Sequence, residues 1–318
     1  MQTLRNFFWN SEEARLRAMW RIAIVIVLLM IFMILFAIID SLFDDLLPRG
    51  TLAKEESILF PLEMTLSFFL SIWITSKYFD KRKLADIGLK INLSWWKDFG
   101  FGLLLGAILH SVIFLTQFLA GWIEIKGIYE NSLSGFSFIA GIGLWLFTFI
   151  CAGISEDLFN RGYLLKNISE SIRTNNSGNI KPIIWAVVIT SLIFGLMHAG
   201  NPNANIISTI GLIIAGLMYA VAYVYTGQLA LPIGLHITWN FFEGCVFGSP
   251  VSGSATDITI IASQQIGPEI MTGGAFGPEA GLVGIASRFL GILLIFLWIK
   301  STRGKLKIVE QISVYSKQ

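Results

Sequence analysis

The sequence predicts an all-α fold: a polytopic membrane helical bundle of about eight transmembrane helices, with both termini cytosolic. Three observations carry that expectation: scarcity of charge, long uncharged runs, and an uneven distribution of Lys and Arg. Charged residues make up 14% of the 318 residues and hydrophobic residues 54%, whereas ordinary soluble domains are roughly a quarter charged. So little polar surface does not cover a soluble globule. Ile22 to Ile39 is eighteen residues without a charge, about the length that crosses a hydrocarbon core as a helix. It is too long for a signal-peptide core and no small-residue cleavage site follows, so it reads as a retained first span.

Eight candidate spans follow in order: roughly 20–40, 58–76, 99–121, 136–160, 182–199, 206–225, 229–247 and 282–299. Residues 1–19 read as a cytosolic amphipathic lead-in with Phe7, Phe8, Trp9 and Trp20 at the interface. Leu84 to Lys97, with Trp95 and Trp96, reads as a second interfacial segment, because paired Trp prefers the headgroup level. Residues 20–299 form one membrane domain with its core at about 150–245. Residues 248–281 form an outer loop rich in Gly, Ser and Pro, and 300–318 a cytosolic tail.

Charge placement sets the orientation. The expected inner segments carry Arg15, Arg17 and Arg21, then Lys77, Lys81, Arg82 and Lys83, then Arg161, Lys166, Arg173 and Lys181, and finally Lys300, Arg303, Lys305 and Lys307. The outer segment around Asp44, Asp45, Glu55 and Glu56 is acidic, and 248–281 has no Lys or Arg. This matches the positive-inside rule. Cys151 and Cys245 sit in apolar surroundings and read as reduced, buried thiols. No basic patch with interleaved aromatics exists, so nucleic acid is excluded as a partner.

Hydrocarbon penalises ionisable side chains, so those inside spans are functional candidates. They are Glu63, His110, Glu156, Asp157, Arg161, His198, His236, Glu243 and Arg288. Asp157 and Arg161 are four apart and share a helix face, where they pair. Glu156 lies about 100° around the helix and is free to face a cavity. Phe194 and His198 are one turn apart, as are His236 and Asn240, whose amide is placed to orient the imidazole or bind a carbonyl. His110 reads as structural. A glutamate, two imidazoles and an amide are the parts an amide hydrolase uses. The carboxylate takes a proton from water, an imidazole protonates the leaving nitrogen, and His and Asn stabilise the oxyanion.

These residues resemble the CPBP family, the CAAX prenyl proteases with the bacterial bacteriocin-processing and immunity-type proteins. The family's marks, Glu-Glu-x-x-x-Arg, Phe-x-x-x-His and His-x-x-x-Asn/Asp, fall on Glu156/Asp157/Arg161, Phe194/His198 and His236/Asn240. The outer loop, with Pro250–Gly253 and Gly273–Glu279, also resembles bacterial members. The resemblance implies an intramembrane endopeptidase in a bacterial cell membrane, with a glutamate-activated water and a membrane-associated protein or peptide as substrate. Glu156, His198, His236 and Asn240 take the catalytic positions and Asp157, Arg161 and Phe194 support them. Two departures stand out: Asp157 replaces the usual second Glu, and Asn160 replaces an apolar residue before the Arg.

No cofactor is expected. Glu156, His198 and His236 also make a two-His, one-carboxylate zinc set, but HExxH is absent, and the metal-free reading is favoured. The alternatives are a non-catalytic immunity or scaffold protein, and an ion channel suggested by Gly274–Pro278. One conflict remains at this level. Straight spans at 136–160 and 182–199 would put Glu156 and His198 about 24 Å apart in depth, unless the fourth helix continues towards Arg173.

Overall fold

The computed structural model describes residues 6–44, 59–133, 135–174 and 178–315. Three segments of the sequence reading lie partly outside them: the lead-in at its first residues, the acidic segment from Asp40 to Glu56, and the tail at its end. Seven helices among the described residues are long and apolar enough to cross a membrane. The chain is a polytopic helical membrane protein.

The helices are α1 (Ala18–Asp44), α2 (Leu59–Ile74), α3 (Leu93–Leu119), α4 (Phe138–Asp157), α5 (Lys166–Ile172), α6 (Ile180–Met197), α7 (Ile206–Thr226), α8 (Ala230–Phe241) and α9 (Leu282–Arg303). Side chains cap the starts of three of them, α3, α4 and α7. Asn92 accepts from the Trp95 amide, Ser137 from the Ala140 amide and Asn205 from the Ser208 amide, which satisfies N–H groups that a first turn leaves open. Thus α3 begins inside the segment 84–97 expected at the interface, and Trp95 is buried while Trp96 is exposed.

Two spans differ in length from expectation. The fourth does not stop near residue 160. α4 runs through a π-helical segment, Leu158–Leu165, directly into α5, giving a 35-residue run from Phe138 to Ile172. The expected span 229–247 is instead α8, twelve residues, followed by five π-helical ones, Phe242–Val246. Being buried almost all round by α3, α4 and α7, α8 is the axis of the bundle rather than a lipid-facing span.

Small residues set how closely the axis is wrapped, as is usual where helices pack without a hydrophobic driving force. A Cβ on Gly234 would lie 2.4 Å from the Phe99 carbonyl oxygen, and one on Gly106 2.6 Å from that of Leu235. On the other side, a Cβ on Gly195 would lie 2.8 Å from the Thr209 carbonyl oxygen, so α6 and α7 meet backbone to backbone.

Segment 248–281 is ordered and contains a strand. β4 (Ile258–Gln265) pairs antiparallel with β3 (Ile123–Asn131), which links α3 to α4. Neither strand was expected. The lead-in is a short ladder, β1 (Trp9–Asn10) with β2 (Arg15–Leu16). Phe7, Phe8 and Trp20 cluster beside it, with ring centroids 4.7–5.4 Å apart.

Arg15, Arg21, Arg82 and Lys166, read from the sequence as inner-surface charges, are all buried. Arg15 and Arg82 hold Glu170 at 2.7 and 2.6 Å, Arg21 pairs with Asp80, and Arg15 lies 3.5 Å above the Tyr315 ring. Burial alone would lower the pKa of Arg82, but the carboxylates of Glu170 and Asp80 outweigh it and raise the value. This network ties the N-terminal ladder, α5 and the C-terminal segment together. Cys151 and Cys245 are free and buried, as expected.

Candidate active site

The long α4–α5 run removes the depth conflict. Glu156 lies sixteen residues before Ile172, and His198 lies eighteen residues after Ile180. At 1.5 Å per residue both stand roughly 24–27 Å from the turn that joins α5 to α6. The imidazole Nε2 of His198 is 3.9 Å from Glu156 Oε2. The Nε2 of His236, from α8, is also 3.9 Å from that oxygen.

Each ring is turned by a bond on its other nitrogen. His198 Nδ1 lies 2.8 Å from the Phe194 carbonyl oxygen, one helical turn back. A carbonyl only accepts, so Nδ1 carries the proton and Nε2 of the neutral ring is bare. His236 Nδ1 lies 3.2 Å from Asp157 Oδ2. The residue that orients His236 is therefore Asp157, not Asn240. Asn240 shares the helix face of His236 one turn on, is half-buried, and makes no side-chain hydrogen bond among the described residues.

Asp157 and Arg161 pair as their spacing predicts, with Arg161 Nη1 3.1 Å from Asp157 Oδ1 and both fully buried. The Arg161 guanidinium lies 4.1 Å from the Phe194 ring centroid and 4.8 Å from that of Tyr219. Tyr219 stacks on His236, centroids 4.9 Å apart. Phe194 packs against His198 at 4.8 Å. A layer of rings and guanidinium thus fixes both imidazoles, with cation–π attraction strengthened by exclusion of water.

Exposure separates the two acids. The Glu156 side chain keeps 29% of its surface and His198 17%, whereas Asp157 has none. The Glu156 side chain is part-exposed, although its Oε2 is itself buried, and its neighbour Asp157 is enclosed. Two of the three motif-bearing helices, α4 and α8, turn π-helical, from Leu158 and from Phe242, a distortion common at functional sites.

Sequence reasoning missed Tyr219, an aromatic in an apolar helix with no spacing signal to set it apart. It also left out Gly216, where a Cβ would lie 3.2 Å from the Phe194 Cβ, so that α7 sits close enough for Tyr219 to reach the site. His110 pairs with Glu243, Nε2 to Oε2 3.3 Å, outside the Glu156 cluster.

The spacing of the donor set does not fit a tetrahedral zinc ion. Ligands on a tetrahedral zinc ion with bonds of about 2.0–2.1 Å lie about 3.3–3.4 Å apart, shorter than the two 3.9 Å separations from Glu156. Among the described residues no group of three or more His, Cys, Asp or Glu side chains is arranged to hold a metal ion.

Glu156, His198, His236 and Asn240 thus bring a carboxylate, two imidazoles and an amide onto three helices of a polytopic bundle. Residues 138–242, about a third of the chain, match the family model "Type II CAAX prenyl endopeptidase Rce1-like". The match gives the general class, an intramembrane protease, and spans all three motifs. Neither a curated protein nor a solved structure matches the chain.

Proposed function

We propose that the chain is an intramembrane endopeptidase in which Glu156 activates a water molecule to hydrolyse a peptide bond. The observation that carries this reading is the convergence of the two imidazole Nε2 atoms, of His198 and His236, on one oxygen of Glu156, whose side chain is part-exposed while that of Asp157 is enclosed. At 3.9 Å these pairs are too long for direct hydrogen bonds, and Glu156 Oε2 is a buried oxygen with no hydrogen-bond partner among the described residues.

Glu156 takes a proton as the water oxygen bonds to the scissile carbonyl carbon. His236 and Asn240, on one face of α8, stabilise the oxyanion. Donation from His236 Nε2 requires the ring to carry both protons, with Asp157 and Glu156 as its counter-charges. As the C–N bond breaks, the proton on Glu156 passes through His198 Nε2 to the leaving nitrogen. Asp157 and Arg161 hold the His236 ring in place, and Phe194 packs against both His198 and Arg161. No metal enters this scheme. The zinc alternative, with Glu156, His198 and His236 as ligands, would require these side chains to stand closer together than they do.

The substrate is a membrane-associated protein or peptide, and the domain organisation is that of a membrane body at 20–299 with cytosolic ends. Charge placement and the outer-loop resemblance support a bacterial cell membrane as its location. The test is to reconstitute the purified chain in vesicles with membrane proteins from cells lacking it. New peptide termini should form with the wild type and not with Glu156→Gln. Equal termini in both would reject the role of Glu156.

A further inference from the structure

Arg288, on α9, is fully buried and lies outside the matched segment, yet its contacts lead to both halves of the site. Its Nη1 donates to the Glu279 carbonyl oxygen at 2.8 Å, and Nη2 lies 3.5 Å from Glu279 Oε1. The other carboxylate oxygen of Glu279 accepts from the Ser252 amide at 2.9 Å and from its hydroxyl at 2.6 Å. The Ser252 carbonyl accepts from Asn201 Nδ2 at 2.9 Å, and the Asn201 amide donates to the His198 carbonyl at 3.1 Å. An unbroken chain of polar contacts therefore runs from α9 to the residue that carries one imidazole.

The second arm reaches α8. The Arg288 guanidinium lies 5.2 Å from the Trp239 ring centroid, and Trp239 directly precedes Asn240. His110 packs edge-on against the same ring at 4.5 Å.

Two further observations show that segment 248–281 is clamped onto the 199–203 turn. Ser252 has φ +48°, a left-handed conformation that costs a residue other than glycine of order 1 kcal/mol or more and persists where surroundings enforce it. Gly253 passes so close to the turn that a Cβ would stand 1.9 Å from the Pro202 carbonyl oxygen. The turn needs a brace: His198 follows the last residue of α6, and its backbone is not locked by a following helical turn.

We propose that Glu279 and Arg288 are positioning residues that fix the His198 turn relative to α8, and so set the spacing between His198 and the His236–Asn240 pair. A buried ion pair of this kind adds little net stability over an apolar replacement, but it imposes a geometry. The consequence for catalysis rests on the hydrolytic reading above; the bracing itself does not.

The experiment is hydrogen exchange, read by mass spectrometry, on the full chain in lipid nanodiscs. The variants are Glu279→Leu, Glu279→Gln and Ser252→Ala, the last being a milder change should Glu279→Leu fail to fold. Exchange at Asn201 and Ala204 is expected to rise about tenfold or more in Glu279→Leu and to rise in Ser252→Ala, as lost bonds to a charged acceptor imply. Amides of α8 should stay unchanged, and Glu279→Gln, which keeps an acceptor for Ser252, should restore protection. Unchanged exchange in the turn for both Glu279→Leu and Ser252→Ala would overturn the proposal, whether or not the chain cleaves anything. With a cleaved substrate in hand, Glu279→Leu should lower kcat about tenfold at similar KM. A mobile turn with wild-type kcat would overturn the positioning role.

Discussion

Glu156 and His198 come within 3.9 Å of one another although they sit at the middle of one helix run and at the end of another. The pairing depends on unequal helix lengths. The run from Phe138 to Ile172 is about twice as long as α6, Ile180–Met197, so the end of α6 reaches only the level of the first helix's midpoint. Segment 248–281 then fills the space above that end.

Loss of the base should be the most damaging conservative change. Glu156→Gln keeps the shape and removes the proton acceptor, so the rate of cleavage should fall by about 10²–10⁴-fold. Thermal unfolding should shift little, because Glu156 is part-exposed. Rate measurements alongside melting curves check both statements.

Asp157→Asn should behave differently. It leaves Arg161 fully buried without its carboxylate, a loss of about 3–5 kcal/mol, and weakens the acceptor for His236. Both stability and rate should drop. A variant with normal melting and normal rate would contradict the pairing described here.

Helix spacing around α8 is set by glycine. Gly234→Ala places a methyl 2.4 Å from the Phe99 carbonyl oxygen and should destabilise by about 1–3 kcal/mol. Gly100→Ala, on the exposed side of α3, meets nothing within 4 Å. It should be neutral or stabilising, by up to about 1 kcal/mol. Paired melting curves in one detergent make the comparison.

The metal-free scheme predicts that dialysis against a strong chelator leaves cleavage within about twofold of the untreated rate. Loss of activity with recovery on adding zinc, and zinc detected at one ion per chain, would support the two-His, one-carboxylate alternative.

The membrane class, the spans and the polar residues of the site were legible because each rests on local chemistry: uncharged runs, and rare ionisable groups at one-turn spacing. Asp157–Arg161 followed from an i, i+4 relation alone. What stayed hidden was tertiary. Nothing local marks Asp157 as the partner of His236, seventy-nine positions away, so the nearer Asn240 invited that assignment. The inner charges Arg15, Arg21 and Arg82 look like solvated flanks until the fold gathers Asp80 and Glu170 around them. Continuation of the fourth helix through Leu158–Leu165 leaves no mark in hydropathy, since the segment is mixed and wholly buried. β3 and β4 escaped because their pairing joins residues more than a hundred positions apart.

The central claim is that Glu156 makes this chain a protease. The most direct measurement is a mass-spectrometric survey of protein termini in cells carrying the wild type or Glu156→Gln at matched levels. The account predicts a set of new termini that appears with the wild type alone and vanishes in the variant. Identical termini in the two, with both proteins folded and in the membrane, would contradict it.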